Sequence, residues 1–309
     1  MSSNSFGFYL AIVWRQFIGC GVPIFLTISG YFLSKKNIDT KHSYFTFISK
    51  QIPRVYFPCL IWSIPYFIMA VSKGQNIGKS LLILLFCGYS IYYFIILIMQ
   101  YYILLPFLKT LSTKKGGLII SALISLISLI SLFYIDKIKM ISLPLVIYAG
   151  PFPVWIVFFV LGLYLGKHKI NISKSILIIF TIIGLGLSVA ETFFNFYITG
   201  THTGLGIKTG AFIYSFAIIL LLFSQVKLEP KRSLIWRGIT YCGKISFGIY
   251  LIHIFILYFV RHLYLILGFD SNVFVNQFIT ISIVILLCCF IISIMRKINL
   301  LFSIKYLGF

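Results

Sequence analysis

Apolar runs long enough to cross a bilayer recur from Phe8 to Ser293, and the short loops between them carry nearly all of the Lys and Arg. A helix needs about 20 mostly apolar residues to span roughly 30 Å of hydrocarbon, whereas a membrane barrel is built from strands of about 10 residues with alternating polarity. Runs such as LLILLF, IIFTIIGLGLSV and ISIVILLCCFIISI do not alternate. Backbone polar groups go unpaired in lipid only at high cost, so continuous apolar runs of this length imply helices. Hydrophobic residues make up 60% of the chain and charged residues 10%, against about one quarter charged in a soluble domain. The expected fold is therefore an all-α, polytopic transmembrane bundle.

The 3.6-residue pattern places spans at 8–34, 55–72, 91–109, 117–135, 146–166, 174–194, 209–225, 245–266 and 273–295, nine in all. The loops are short, so the chain reads as a single integral-membrane domain over residues 1–309. A net charge of +21 raises nucleic-acid binding, but that needs a basic face on a soluble domain, and no stretch is polar enough to form one. Membrane topology explains the charge instead. One set of alternate loops holds Lys35, Lys36, Lys41, Lys50, Arg54, Lys109, Lys114, Lys115, Lys167, Lys169, Lys174, Lys227, Lys231, Arg232, Arg237, Lys244, Arg296, Lys297 and Lys305. The other holds Lys73, Lys79, Lys137, Lys139, Lys208 and Arg261, with Arg15 inside the first span. The positive-inside rule puts the first set and the C-terminus in the cytoplasm and the N-terminus outside. The segment MSSNSFGFYL has no basic flank to orient the first span, and neither a basic n-region nor a small-residue cleavage site marks a signal peptide.

Cys20, Cys59, Cys87, Cys242, Cys288 and Cys289 lie in or beside apolar spans without metal-ligand spacing, which fits packing and gives no reason to expect a metal. No phosphate-binding glycine loop, HExxH or GxSxG occurs. Attention therefore falls on polar residues within the spans, each costly unless it faces protein or a water-filled cavity. Ser29 and Gly30, in GVPIFLTISGYFLSKK, permit close helix approach or open the backbone to a ligand. Lys50 and Arg54, four apart in KQIPRVYFPCLIW, point to one place on a helix. They are either a clamp for a phosphate-bearing ligand or snorkelling anchors at the inner interface. His253 sits two turns inside KISFGIYLIHIFIL, with Tyr250 and Ser246 near the same face, as a general base or as a hydrogen-bonded interior residue. Glu191 lacks an obvious basic neighbour and reads as an outer-interface residue, and His202 in THTGLG reads as solvated.

In this order, VPIFLTISGYFL, KQIPRVYFPCLIW, IYYFIILIMQYYILLPFL, WIVFFVLGLYLGK and ISFGIYLIH resemble the membrane-bound acyltransferase-3 family, multi-spanning bacterial enzymes that O-acylate sugars and surface polysaccharides. The likeness covers almost the whole chain. The family normally begins with a further helix bearing an Arg and the His taken to be the catalytic base; the resemblance implies that this helix is absent here, and restoring it gives ten spans with both ends cytoplasmic. Ile91 and Tyr93 stand where relatives often show His and Trp.

The resemblance implies transfer of an acyl group, usually acetyl, from acetyl-CoA or another cytoplasmic acyl-CoA to a hydroxyl of a glycan or polysaccharide at the bacterial cytoplasmic membrane. It requires no bound cofactor. Lys50 and Arg54, with Ser29 and Gly30 nearby in sequence, would hold the donor. His253 is the intramembrane base candidate, supported by Tyr250 and Ser246. Two other readings stay open. One is a transporter for a glycan or acyl donor, for which the Pro-bearing SLPLVIYAGPFPVW supplies a single helix interruption; the other is an inactive family remnant that binds glycan or a partner enzyme.

Overall fold

A computed structural model of the chain describes residues 6–141, 143–169, 171–199, 207–225, 233–268 and 274–309. His202, Lys227, Lys231 and Arg232 lie outside these residues, as does the side chain of Lys137. The described residues form helices and no strand. In chain order these are α1 (Phe6–Ile18), α2 (Gly21–Ser34), α3 (Lys41–Ser72), α4 (Ile77–Leu85), a single tight turn (Ser90–Tyr92), α5 (Tyr93–Ile103), α6 (Leu105–Leu111) and α7 (Lys115–Phe133). After a π-type turn at Tyr134–Ile138 come α8 (Leu145–Tyr148), α9 (Phe152–Leu165), α10 (Lys174–Thr199), α11 (Thr209–Gln225), α12 (Leu234–Lys244), α13 (Ser246–Ile266), α14 (Phe274–Ile298) and α15 (Leu300–Tyr306).

Seven helical stretches are long and apolar enough to cross a membrane, and Phe152–Leu165 and Thr209–Ser224 are shorter apolar helices. Taken in order they coincide with the nine expected spans, and their ends differ in instructive ways. Helix α3 starts at Lys41 rather than at 55. Lys and Arg are good helix formers whose stems lie along apolar surface while the charge reaches water, so the helix continues through the basic segment. The first span breaks between α1 and α2, and the fifth breaks at Gly150–Pro151. Helices α4, α12 and α15 are too short or too polar to register as spans. Helix α12 is amphipathic, exposing Leu234 and Ile239 beside Arg237 and Lys244, the composition of a helix that lies in the interface plane.

The helices cluster into two compact units, one of Leu10–Ile48 and Leu97–Lys227, the other of Met1–Tyr9, Ser49–Ile96 and Leu228–Phe309. The first of these, here the α9 unit, is organised around α9. Its sequence FPVWIVFFVLGLYL is apolar on every side, and such a helix is stable only when surrounded; every residue from Val154 to Leu163 is buried. Helix α2 lies against it backbone to backbone. A Cβ on Gly162 would sit 2.0 Å from the Thr27 carbonyl oxygen, and one on Gly30 would sit 2.3 Å from that of Phe159. Small residues at such seams drive helix association where the surrounding lipid is as apolar as the helices. Helix α7 presents Gly117, Ser121, Ser125 and Leu129, a four-residue repeat of buried and mostly small positions. Ser125 Oγ donates to Pro153 O at 3.3 Å and accepts from Val157 N at 3.2 Å. Helices α10 and α11 close in the same way, with Gly210 against the Ser188 backbone and Gly184 against that of Tyr214.

The break before α9 leaves backbone groups that the interior must satisfy. Gln100 does so reciprocally, donating to Gly150 O at 2.8 Å and accepting from Phe152 N at 3.0 Å. Tyr101 donates to Phe152 O at 2.7 Å and Trp155 Nε1 to Ala149 O at 2.9 Å.

In the other unit, here the α13 unit, α14 turns Val284, Cys288 and Ile292 inward and leaves Leu286 and Phe290 exposed, the outward apolar surface expected against lipid. Pro53, Pro58 and Pro65 interrupt the hydrogen-bond ladder of α3 without ending the helix, which membrane helices tolerate when neighbours satisfy the freed groups.

Candidate functional site

Polar chemistry in the α13 unit gathers around the segment ISFGIYLIH. Gly248 provides a seat: a Cβ there would lie 2.9 Å from the Phe309 ring and 3.1 Å from Ile292. The chain end reaches that seat through α15, where Phe309 N donates to Ser303 O at 2.9 Å and Ser303 Oγ donates to Met295 O at 2.8 Å. Trp62 of α3 donates to Leu307 O at 3.2 Å, and its ring lies 5.7 Å from that of Phe255. The C-terminal segment is thus part of the wall behind α13, a role its sequence did not advertise.

Two tyrosines tie α13 to the turn before α5. Tyr92 donates to Leu251 O at 2.7 Å, and Tyr250 donates to Ile91 O. The backbone leading there is strained, with non-glycine residues in the left-handed region at Cys87 (φ 45°) and Ser90 (φ 52°). Such conformations cost about 1–3 kcal/mol each and persist only where their surroundings enforce them. His253, half-buried, has its ring 6.2 Å from that of Tyr250. Its Nδ1 lies 3.1 Å from Ile249 O and 2.9 Å from Tyr250 O. Both neighbours are carbonyls and can only accept, so Nδ1 carries a proton, and in the neutral form of the ring the lone pair is on Nε2. That tautomer suits a general base. Ser246 stands half-buried at the first position of α13.

Lys50 and Arg54 both lie on α3 and both are exposed. The helical spacing expected of them is present. Trp62 follows Arg54 by eight residues and Lys50 by twelve, so the cations lie about 12 and about 18 Å along the helix from the level where α3 meets α13. Ser29 and Gly30 belong to the α9 unit, where Ser29 is half-buried on α2 and Gly30 is pressed against α9. Among the described residues no group of three or more His, Cys, Asp or Glu is placed to hold a metal.

A second polar cluster, in the α9 unit, escaped sequence reading. Lys208, a loop cation by sequence, is only 6% exposed. Its ammonium donates to Gln16 Oε1 at 2.7 Å and to Thr192 Oγ1, and Ser188 Oγ donates to the same Gln16 oxygen at 3.1 Å. Burial pushes the Lys208 ammonium down to about 8, with the Glu191 carboxylate pulling the other way. Glu191 is held in turn by backbone N–H groups, from Thr209 at 3.3 Å and Gly210 at 2.7 Å. Gln16, a polar residue inside an apolar run, is a sequence signal that leads here, beside Glu191.

Long apolar helices, interfacial cations and a half-buried histidine define the class as a polytopic helical membrane protein. Residues 1–294 match the acyltransferase domain that characterises the acyltransferase-3 family, and the chain belongs to that family of membrane acyltransferases. No curated protein and no solved structure matches it.

Proposed function

We propose that the protein transfers an acyl group, acetyl in the simplest case, from a cytoplasmic acyl-CoA to a hydroxyl of a cell-surface glycan or its precursor, in the cytoplasmic membrane of a bacterium. The observation that carries this reading is the exposed Lys50–Arg54 pair one helical turn apart on α3. Coenzyme A presents phosphate groups, which a guanidinium fork binds bidentately and a lysine complements as a point charge. A donor anchored there directs its thioester along α3 toward the level of α13, about 12 Å further on. In the reaction the acceptor oxygen bonds to the acyl carbon, the thioester C–S bond breaks, and the sulfur leaves on coenzyme A. Nε2 of neutral His253 takes the hydroxyl proton as attack proceeds, a role worth about 10² to 10⁴ in rate. Tyr250, through Ile91, and the Gly248 seat hold the helix that carries His253, and Ser246 lies at its start.

The test uses the full chain in nanodiscs with labelled acetyl-CoA and lipid extract from the native host as acceptor. Arg54→Ala should raise KM for acetyl-CoA roughly tenfold, the loss of about one charge-assisted contact, while kcat at saturation changes less. An unchanged KM removes Arg54 from donor binding. Absence of any labelled lipid or glycan with the parent protein favours the family remnant that binds without transferring.

A further inference from the structure

The α9 unit contains a groove of about 520 Å³ between α7, α9, α10 and α11, walled by residues such as Leu126, Val157, Phe180, Phe212 and Leu220. On α11 the lining runs from Thr209 to Leu220, about 16 Å of helix rise. That is close to half of the roughly 30 Å hydrocarbon thickness, the depth reached by one lipid tail. At its Thr209 end the groove shares Thr209 and Ile213 with a second recess of about 390 Å³, whose one titratable lining residue is Glu191. Ile176 and Phe180 in the groove and Leu187 and Phe194 in the recess recur at spacings of four and seven on α10. They form one stripe, so the two spaces follow one another along the same helix face.

The chemistry changes along that face. Hydrocarbon is the only occupant that the apolar part accommodates without burying unsatisfied polar atoms. In the recess, Glu191 uses acceptor capacity on Thr209 N and Gly210 N, and an ionised carboxylate has about four acceptor sites, so some remain. A carboxylate repels a phosphate and accepts from hydroxyls. The Lys208 ammonium, whose charge the Glu191 carboxylate favours, argues against a cationic head. We propose that groove and recess together bind an amphiphile with an uncharged, hydroxyl-rich head, a glycolipid, with one tail between α7 and α11 and its head hydroxyls on Glu191. This site uses neither Lys50, Arg54 nor His253 and binds without an acyl donor, so its test does not depend on the transfer reading.

The full chain, purified in detergent, is titrated with glucosyl-diacylglycerol and with phosphatidic acid of the same acyl chains, and retained lipid is read by native mass spectrometry. The glucosyl lipid should be retained about tenfold better, the worth of one hydrogen bond to a charged group. Glu191→Gln should bring the two lipids toward parity. Because Glu191 also binds the first N–H groups of α11, a second variant leaves that contact alone: Ala122→Phe fills the groove from an exposed wall position and should weaken retention of the glucosyl lipid at least severalfold. Equal retention of both lipids by the parent, preference for phosphatidic acid, or indifference to Ala122→Phe would each leave only non-selective lipid around the bundle and overturn the proposal.

Discussion

Around α9, polar groups at a helix break are matched by side chains: Gln100, Tyr101 and Trp155 bond to Ala149, Gly150 and Phe152 at the Gly150–Pro151 interruption, and glycines bring α2 within backbone contact. Around α13 the same element types are used differently. There the histidine is half-buried with its Nδ1 turned back onto its own helix, two cations on α3 are exposed, and the turn at Cys87–Ser90 holds left-handed backbone in residues that disfavour it. At the break before α9 the polar groups are spent on one another, whereas an imidazole with a second ring nitrogen and an exposed guanidinium can engage a substrate. On the proposed reading, the seam around α9 supplies rigidity and the α13 unit carries the transfer chemistry.

His253→Ala is the largest single test of that division. It should reduce acyl transfer by about 10² to 10⁴ while the thermal melting of the detergent-solubilised protein stays where it was. Full transfer by the variant would make His253 a packing residue. Gly162→Leu should do the reverse in kind, because its side chain meets the Thr27 carbonyl; forcing volume into a close-packed seam costs about 3 kcal/mol or more when backbone must move. The expected readout is loss of monodisperse, folded protein, with activity lost in proportion. A folded but inactive Gly162→Leu protein would instead place the α2–α9 seam in the chemistry.

How much of this was readable beforehand follows from what each residue depends on. The spans were legible because a run such as FPVWIVFFVLGLYL has only one stable environment, and the pairing of Lys50 with Arg54 was legible because helical spacing is a local property. Gly30 was readable as a small residue at a seam, but its partners Phe159 and Gly162 were not, since they are more than a hundred residues away in the chain. Lys208 does stand in the loop before α11, but its burial was not readable, because its neighbours Gln16 and Thr192 are brought to it from α1 and α10 by the fold. The C-terminal segment, too short to be a span, gains its place from tertiary contacts: packing on Gly248, the Trp62 bond to Leu307 O and the Ser303 bond to Met295 O.

Lys208 yields a smaller, pH-dependent test. Its folded value, about 8, lies below the ordinary 10.5, so between these pH values the unfolded chain holds a proton that the folded chain has released. Folding is then favoured as pH rises, by up to about 1.4 kcal/mol per pH unit, and the penalty for burying the charge is fully present below about pH 8. Relative to Lys208→Met, the parent should gain stability from pH 8 to 10 in chemical-denaturation curves and hold a constant offset below that. Parallel curves across the range would mean that the ammonium is solvated.

The smallest effect separates support from catalysis within the α13 unit. Tyr250→Phe removes the hydroxyl that donates to Ile91 O and leaves the ring packed near His253, Phe94 and Tyr92. A single lost hydrogen bond to a carbonyl is worth about 1 kcal/mol, so the melting temperature should fall modestly while transfer at a temperature well below melting stays within about fivefold of the parent, the rate equivalent of that energy. A residue that only holds α13 in place moves both readouts together, and restoring stability with lipid or glycerol should restore the rate. A rate loss comparable to that of His253→Ala, with stability unchanged, would instead put the Tyr250 hydroxyl against the reacting atoms and extend the catalytic set one turn down the helix.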